Sequence, residues 1–410
     1  MATPPAAAAA TPHAIAPPSA PVRRMGHAPA LWLLASILVG FLAASSAPSP
    51  LYALYRDSWG FSALTLTLVF ASYAFALLST ALLFGTFSDH RGRREVVLLA
   101  LVLEIASTVL FWQADSVAWL FAARTVQGLA TGIATSVLSA ALIDLHPERG
   151  ALVNTVAPML GMAVGALGTS ALVQFAPTHT AQVFELLLAL FIVQALAAVF
   201  LPETVARRPG AWRSLRPRIA IPAGSRATLA RILPLNTALW ALGGFYLSLG
   251  PTLARVITGS HAPVLGGALI CALVLTAAVA IVFVRTRPPR QVLLLGTWAL
   301  VLGLAITLAG IALHSSSAFF AGTVVAGVGF GSGFNGSLRS LVGTATAAER
   351  GGLMSGFFVL SYLAFSLPAI AAGLAAGHFG LHATALGFGL ALLALGLTAL
   401  GLMVRQRAAP

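Results

Sequence analysis

Long apolar runs separated by short polar gaps make up most of the chain. A helix that crosses the hydrocarbon core of a membrane, about 30 Å thick, needs about 20 predominantly apolar residues. An open sheet is excluded there, because its unpaired backbone groups would be exposed to lipid. The pattern predicts twelve transmembrane helices, at residues 31–53, 63–85, 96–114, 118–143, 151–175, 181–201, 232–256, 263–284, 292–313, 318–344, 351–376 and 383–404.

The polar gaps divide the twelve spans into two groups of six. Most gaps are only a few residues long, so consecutive helices are expected to be antiparallel neighbours. One gap is a long Pro- and Arg-rich segment in the middle of the chain. The predicted domains are a disordered cytoplasmic tail (1–28), an N-terminal six-helix bundle (29–201), a cytoplasmic linker (202–231), a C-terminal six-helix bundle (232–404) and a cytoplasmic tail (405–410).

Internal repetition indicates that the two bundles are related. The sequence Glu-Arg-Gly follows the fourth span at 148–150 and the tenth span at 349–351, an offset of 201 residues. The same offset aligns Gly128 with Gly329, and Gly132 with Gly333. Such duplications are characteristic of secondary transporters. The predicted fold class is therefore an all-α membrane protein with twelve transmembrane helices in two pseudo-symmetric six-helix bundles.

Composition and charge support a membrane protein and give its orientation. Charged residues make up 8% of the chain, against about 25% in soluble domains. The net charge is +13, and all 23 basic residues are arginines. If the N-terminus is cytoplasmic, nineteen of them lie in cytoplasmic segments and only Arg56 lies in an external loop. This asymmetry predicts a multi-pass protein of the inner (plasma) membrane with both termini cytoplasmic, and not a nucleic-acid-binding protein.

The first 28 residues allow two other interpretations. Met25 is a second candidate for the start of translation. Arg23 and Arg24, followed by an apolar stretch and small residues at 43–47, are also compatible with a secretory signal. The apolar run continues beyond this cleavage position, however, and is long enough to span a membrane.

The loop after the second span has an unusual combination of residues. Positive-inside anchoring explains its arginines but not its aspartate or the spacing of its glycines. The segment resembles the signature cytoplasmic loop of the major facilitator superfamily, from which only His90 departs. The resemblance covers residues 30–405, with a degenerate counterpart of the loop at 285–295. The residues that carry it are Gly85, Asp89, Gly92, Arg93 and Arg94.

This resemblance implies a conformational latch. Asp89 would meet the N-terminus of the eleventh helix near Gly351, where the helix dipole favours a negative charge. Arg93 or Arg94 would pair with Asp144 at the end of the fourth helix. These contacts would join the two bundles on the cytoplasmic side, stabilise the outward-facing state and break when the protein opens inward.

Two charged residues lie deep inside predicted spans. Arg124 and Gln127 form a pattern that resembles the family's Arg-x-x-Gln-Gly sequence. Arg124 lies about 9 Å inside its span, where a charge costs at least ~2.5 kcal/mol. It is predicted to bind an anionic substrate or tune a nearby acid, or else to extend to the headgroups. Glu104, at a similar depth, is the candidate acid, either for proton coupling or for a structural pair with Arg124.

Two further elements bear on the direction of transport. The first span ends with Pro48 and Pro50, an arrangement that resembles the Pro-x-Pro element of many bacterial exporters. The fifth span has Thr169 and Ser170 where antiporters of the family typically carry a glycine pair. The first feature favours export, whereas the second weakens a proton-antiport assignment.

Other polar and aromatic residues within spans are candidates for a central cavity or for interhelical hydrogen bonds. The sequence has no glycine-rich nucleotide loop ending in Lys and a single cysteine, Cys271, so no enzyme activity, cofactor or metal site is predicted. The cavity candidates are Asn154, Asn236, Trp240, Tyr246, Asn335 and Tyr362.

The sequence thus predicts a secondary transporter that moves a small organic molecule, such as a drug-like compound or a sugar derivative, by alternating access. Proton-coupled efflux is the leading hypothesis, and few buried charges favour a lipophilic solute. Nutrient uptake by symport or facilitated diffusion is an alternative, and a non-transporting receptor or scaffold is another. The expected partners are the solute, protons and the lipid bilayer, with the protein as a monomer.

Overall fold

The computed structural model describes residues 24–176, 180–217 and 219–405. Residues 1–23 and 406–410, which make up most of the two predicted tails, lie outside the described residues. The regular structure in the described part is helical. It comprises a 3-10 helix at Ala211–Ser214 and the helices α1 (His27–Ser46), α2 (Pro48–Trp59), α3 (Ala63–Phe84), α4 (Phe87–Arg91), α5 (Arg93–Trp112), α6 (Val117–Leu145), α7 (Pro147–Phe175), α8 (Gln182–Ala198), α9 (Ala223–Ser248), α10 (Gly250–Thr258), α11 (Pro263–Val284), α12 (Pro289–Ala312), α13 (Ser316–Val342), α14 (Arg350–Phe379) and α15 (Leu381–Arg405).

These helices occupy the twelve predicted spans. Within the described residues, ten helical segments are long and apolar enough to cross a membrane, the first of them formed by α1 and α2 together. α9 and α10 form an eleventh span that is bent by 71° at its break. The twelfth, α8, is apolar but has only 17 residues. The predicted fold class is confirmed.

Proline marks a break in the first and seventh spans. Pro48 begins α2 directly after α1, and Pro251 lies at the start of α10. Proline lacks a backbone N–H and clashes with the preceding turn, so a helix bends or restarts there. Both short helices end at a glycine in the left-handed region, Gly60 at φ 67° and Gly259 at φ 63°. The break at Pro251 was not predicted, because Pro251 lies within the apolar run 232–256.

The seventh span begins earlier than predicted. α9 starts at Ala223, inside the segment assigned to the linker. Residues 223–231 are rich in Ala, Leu and Arg, which favour helix, so the helix continues beyond the apolar run. The described residues between α8 and α9 are irregular apart from Ala211–Ser214.

Close helix packing repeats between the two halves. Gly128 and Gly132 of α6 lie against the backbone of α3, and Gly327 and Gly331 of α13 lie against the backbone of α11. Small residues at such contacts let helices approach closely. The repeat in these helices therefore runs at 199 residues, not the predicted 201. The glycines two positions further along α13 face α12 and α9 instead.

The two halves meet along two helix pairs, α3 with α14 and α7 with α11. We call the end of the helices that carries loop 85–94 and segment 199–222 the arginine-rich end, and the other end, which carries loops 60–62 and 259–262, the opposite end. Gly373 of α14 lies against Thr67 of α3, and Gly267 of α11 lies against Ser170 of α7. Both close approaches lie at the opposite end.

Polar contacts also join the halves at the opposite end. Asp57 of α2 forms an ion pair with Arg255 of α10, with 3.1 Å between Oδ2 and Nη1. The backbone N–H of Val264 donates to Gln174 Oε1 at 3.2 Å. The two proline-initiated helices, α2 and α10, thus connect the halves across this end.

Candidate functional site

The loop between α3 and α5 is fixed by a carboxylate that the sequence analysis did not select. Gly92 has a φ of 105°, and a Cβ at this position would lie 2.6 Å from Glu203 Oε2, so only glycine fits without strain. Glu203 accepts the backbone N–H of Arg93 at 2.7 Å and that of Arg94 at 3.2 Å. These are donors that a helix start leaves unpaired, so Glu203 caps α5.

Arg93 is the centre of an ion-pair cluster at the arginine-rich end. Its Nη1 lies 2.5 Å from Asp89 Oδ1, and its Nε lies 3.0 Å from Asp144 Oδ2. Ser88 accepts a further hydrogen bond from Nη1 at 2.6 Å. Arg94 instead donates to the carbonyl of Val199 at 3.3 Å. The structure therefore places Arg93, and not Arg94, against Asp144.

Asp89 and the start of α14 are not brought together. A Cβ at Gly351 would have no non-neighbouring atom within 4 Å. The start of α14 meets the segment before α9 instead, where the Ala220 N–H donates to the Gly352 carbonyl at 3.2 Å. Just before α14, the backbone N–H and the hydroxyl of Thr346 both donate to the Glu349 carboxylate. These hydrogen bonds lower the pKa of that carboxyl.

Arg124 is 0% exposed and lies at the centre of a buried polar network between α1, α2, α5 and α6. Its Nη1 donates to the Ser45 carbonyl and to Gln127 Oε1, both at 2.7 Å, and its Nε donates to the Tyr52 hydroxyl. The amide nitrogen of Gln127 donates to Glu104 Oε1 at 3.2 Å. Gln127 therefore connects the acid to the guanidinium, and no direct ion pair between Glu104 and Arg124 occurs in the described residues.

Aromatic rings surround the Arg124 guanidinium. Its Cζ lies 5.3 Å from the ring centroids of Tyr52 and Tyr73 and 5.8 Å from that of Phe111. These rings stabilise a buried cation electrostatically. Glu104 Oε2 and Arg124 Nη2 are buried and have no hydrogen-bond partner among the described residues. The network thus has capacity for a further donor at Glu104 Oε2 and for up to two acceptors at Arg124 Nη2.

An aromatic cluster lies where the two halves meet. Trp240 of α9 has four ring neighbours, with centroids at 4.9–6.4 Å and planes inclined by 61–80°. Tyr73 of α3 belongs to the same apolar cluster as Trp240, and its ring also contacts Arg124. We call Trp240, Phe334, Phe358, Tyr362 and Phe365 the Trp240 cluster.

The remaining polar candidates are not members of this cluster. Asn236 donates to a serine hydroxyl of α14 at 2.9 Å, and the Tyr246 hydroxyl lies 2.9 Å from a threonine hydroxyl of α13. Asn154 donates to a backbone carbonyl of α6 at 3.0 Å. Asn335 Oδ1 is buried without a partner among the described residues. Asn154, Asn236 and Tyr246 therefore make hydrogen bonds between helices of one half.

Several contributors to these sites, mostly aromatic residues, were missed by the sequence analysis. Tyr73 lies within an apolar run, so no local signal distinguishes it from a core aromatic residue. Glu203, Asp57 and Arg255 lie near helix ends, where charged side chains are common and therefore do not indicate a site. Opposite charges near the ends of the first and seventh spans of a six-plus-six repeat were the one available indication for Asp57 and Arg255. No group of three or more His, Cys, Asp or Glu side chains in the described residues is placed to bind a metal ion.

Comparisons with known proteins agree with this architecture. A sequence profile of the Major Facilitator Superfamily matches residues 32–296. The chain is 34% identical over 164 residues to Myo-inositol transporter 1 of Cryptococcus neoformans var. grubii, a match that covers 37% of this chain and 26% of that protein. The chain thus spans about a quarter of the length of this curated relative. A crystal structure of a mutant of the nucleoside transporter NupG superposes with a TM-score of 0.71 at 13% identity, covering 91% of this chain and 99% of that one.

Proposed function

We infer that this chain, which belongs to the major facilitator superfamily and is a membrane transporter of that type, moves a small organic solute by alternating access of its two six-helix halves. The observation that carries this proposal is the asymmetry between the ends. The halves are joined at the opposite end by Gly373, Gly267 and the Asp57–Arg255 pair. At the arginine-rich end, Asp89 pairs within its own half. We assign the arginine-rich end to the cytoplasm of a bacterial inner membrane and the geometry to an inward-facing state.

The latch follows from this assignment. In the outward-facing state Asp89 leaves Arg93 and meets the N-terminus of α14, whose dipole favours a carboxylate. Arg93 keeps Asp144 as a partner throughout, so its charge stays compensated. Glu203 holds the start of α5 in place while Asp89 changes partner. The ion pair between Asp57 and Arg255 opens in the same step.

The Trp240 cluster is the proposed solute site. Its four neighbouring rings are all inclined to the Trp240 plane, and none stacks parallel on it. We propose that a flat ring of the solute stacks on Trp240, which is only partly buried. The cluster has no ionisable acid or base other than Tyr362, which favours an uncharged cyclic solute. The named substrates of the two similar transporters, myo-inositol and nucleosides, are cyclic compounds, consistent with a sugar derivative or a drug-like ring compound.

Trp240→Ala is expected to weaken solute binding about ten-fold, because stacking on an indole contributes about 1–1.5 kcal/mol. Purified protein is screened by thermal shift against myo-inositol, nucleosides and apolar ring compounds, since a bound ligand raises the melting temperature. The affinity is then measured with the compound that stabilises the wild type. Trp298→Ala is the matched control, because Trp298 on α12 is 57% exposed and lies outside the cluster. An unchanged affinity in Trp240→Ala would remove the site from the Trp240 cluster.

We propose proton-coupled efflux, with Glu104 as the coupling acid. Glu104 is 0% exposed and has one unpartnered oxygen, and an ionisable residue at such a position is a proton-relay candidate. Gln127, Arg124 and Tyr73 connect it to the Trp240 cluster. Uptake by symport uses the same connection and is the second candidate, favoured by the Thr169-Ser170 sequence in α7.

Glu104→Gln is expected to abolish the pH change that solute movement causes, while solute exchange continues, because an amide keeps the hydrogen bond to Gln127 but carries no titrating proton. The pH inside proteoliposomes is followed with a trapped dye after a solute gradient is imposed, and the sign of the change separates antiport from symport. The control is Glu185→Gln, since Glu185 is exposed and its side chain bonds only to Trp112 among the described residues. A wild-type response in Glu104→Gln would exclude Glu104 as the coupling acid.

A further inference from the structure

A groove of about 550 Å³ lies at the arginine-rich end, between the segment 219–221, the first turns of α9 and the middle of α14. Leu360 of α14 lines it. Leu360 is two residues from Tyr362, which corresponds to about 200° around the helix. The groove therefore opens on a different side of α14 from the Trp240 cluster, and on α9 its residue Leu233 lies seven residues, about 10 Å along the axis, before Trp240.

The groove has one charged end and a long apolar wall. Its apolar lining comes from Ile219, Ile221, Leu229, Leu233 and Leu360, and its charged residue is Arg226. Arg226 and Leu233 are seven residues apart on α9, which is about 10 Å along the helix axis. A ligand that fits this lining has an anionic group at one end and a hydrocarbon chain at the other.

The position of Arg226 indicates an anionic partner. Arg226 lies in the first turn of α9, where the helix dipole is already positive and an arginine is unfavourable. The side chain is exposed, and its Nε donates to the Ile221 carbonyl at 3.4 Å. None of the ion pairs in the described residues includes Arg226. The guanidinium thus presents donors to the mouth of the groove without a protein carboxylate beside it.

We propose that this groove binds an anionic phospholipid from the leaflet at the arginine-rich end. The phosphodiester accepts hydrogen bonds from Arg226, and one acyl chain lies along Leu229 and Leu233 towards Leu360. The bound lipid also contacts segment 219–221, whose Ala220 N–H holds the Gly352 carbonyl of α14. Binding therefore stabilises the contact between this segment and the eleventh span, and the lipid is a structural ligand distinct from the transported solute.

The test measures lipid retention by native mass spectrometry, with phosphatidylglycerol and phosphatidylcholine of identical acyl chains as probes. Wild-type protein is expected to bind phosphatidylglycerol more tightly than phosphatidylcholine. Arg226→Gln is expected to reduce phosphatidylglycerol affinity about five-fold, the effect of one basic residue near a lipid headgroup, and to leave phosphatidylcholine affinity unchanged. Leu233→Asn is expected to reduce the affinity for both lipids. Arg149→Gln, an exposed arginine of α7 at the same end, is the control and keeps wild-type affinity.

Three results would overturn the proposal. Equal wild-type affinity for the two lipids would remove the anionic selectivity. Equal loss in Arg226→Gln and Arg149→Gln would indicate attraction by the whole basic surface and not a site. Displacement of phosphatidylglycerol by inorganic phosphate at similar concentration would indicate a phosphate site without a lipid chain. Melting temperatures of the variants, measured without added lipid, verify that each one folds.

Discussion

Replacing Arg124 by methionine is expected to abolish solute transport and to lower the free energy of unfolding by about 3 kcal/mol, the loss typical when one partner of a buried charged network is removed. Methionine fills similar space but leaves the Tyr52 hydroxyl, the Ser45 carbonyl and Gln127 Oε1 without their donor. Each buried polar group left unpaired costs about 1 kcal/mol or more. The surrounding rings also lose the cation that they enclose.

Arg124→Lys is expected to recover little of this loss. An ammonium group lacks the planar fork that donates to Tyr52, Ser45 and Gln127 at once. Thermal unfolding in detergent gives the stability, and solute flux in proteoliposomes gives the activity. Arg149→Met controls for the loss of an arginine and is expected to match the wild type in both. Wild-type flux and stability in Arg124→Met would show that the buried network supports neither folding nor transport.

Gly165→Ala is the second change with a large expected effect, about 3 kcal/mol of destabilisation or a failure to fold. A Cβ at Gly165 of α7 would overlap the Ala43 carbonyl and the Ser46 side chain of α1. Overpacking a tight contact costs about 1–3 kcal/mol, and here the obstacle includes backbone, which cannot rotate away. The two helices would have to separate, which also displaces the Ser45 carbonyl that binds Arg124.

Gly168→Ala, three residues further along the same helix, is the matched control. A Cβ at Gly168 would have no neighbouring atom within 4 Å, so this variant is expected to be as stable as the wild type or slightly more stable. Melting temperature and the yield of monodisperse protein compare the two variants. Equal behaviour of both alanine variants would contradict the close approach of α1 and α7.

The number and position of the spans could be predicted from sequence because lipid imposes a strong constraint. A spanning segment must be long, apolar and helical, so hydropathy alone located α3, α11 and α12 within a few residues. The start of α9 was predicted too late, because residues 223–231 form helix outside the apolar run and hydropathy does not detect them. The sharp bend at Pro251 was missed for the opposite reason, since the apolar run continues through it.

Aligning the two halves by their matching Glu-Arg-Gly sequences gave the wrong offset for the glycines of α6 and α13. The Glu-Arg-Gly match lies at the starts of α7 and α14, and its offset of 201 does not hold within α6 and α13. Gly327 and Gly331, at an offset of 199, occupy the contacts that Gly128 and Gly132 make in the first half. Glycines two positions apart on a helix point to nearly opposite sides, so a two-residue error in alignment reverses the assigned partner helix.

In the candidate sites, sequence could identify single residues but not the contacts between them. Arg124, Gln127 and Glu104 could be selected individually, because polar residues in apolar runs are conspicuous. Their connection through Gln127 and the contacts that Tyr52 and Tyr73 make with Arg124 depend on how α1, α2, α3, α5 and α6 pack, which no local pattern encodes. Asn236 and Tyr246 were equally conspicuous, but packing turned them towards neighbouring helices of their own half.

Counterflow in proteoliposomes tests the central claim, alternating access to one solute site, most directly. Vesicles are loaded with the unlabelled compound identified by thermal shift and diluted into a trace of the same compound carrying a radiolabel. A transporter that exposes one site to each side in turn is expected to accumulate label transiently above its equilibrium level, and Arg124→Met is expected to abolish this overshoot. Label that only rises to equilibrium, or that enters no faster than in protein-free vesicles, would contradict alternating access.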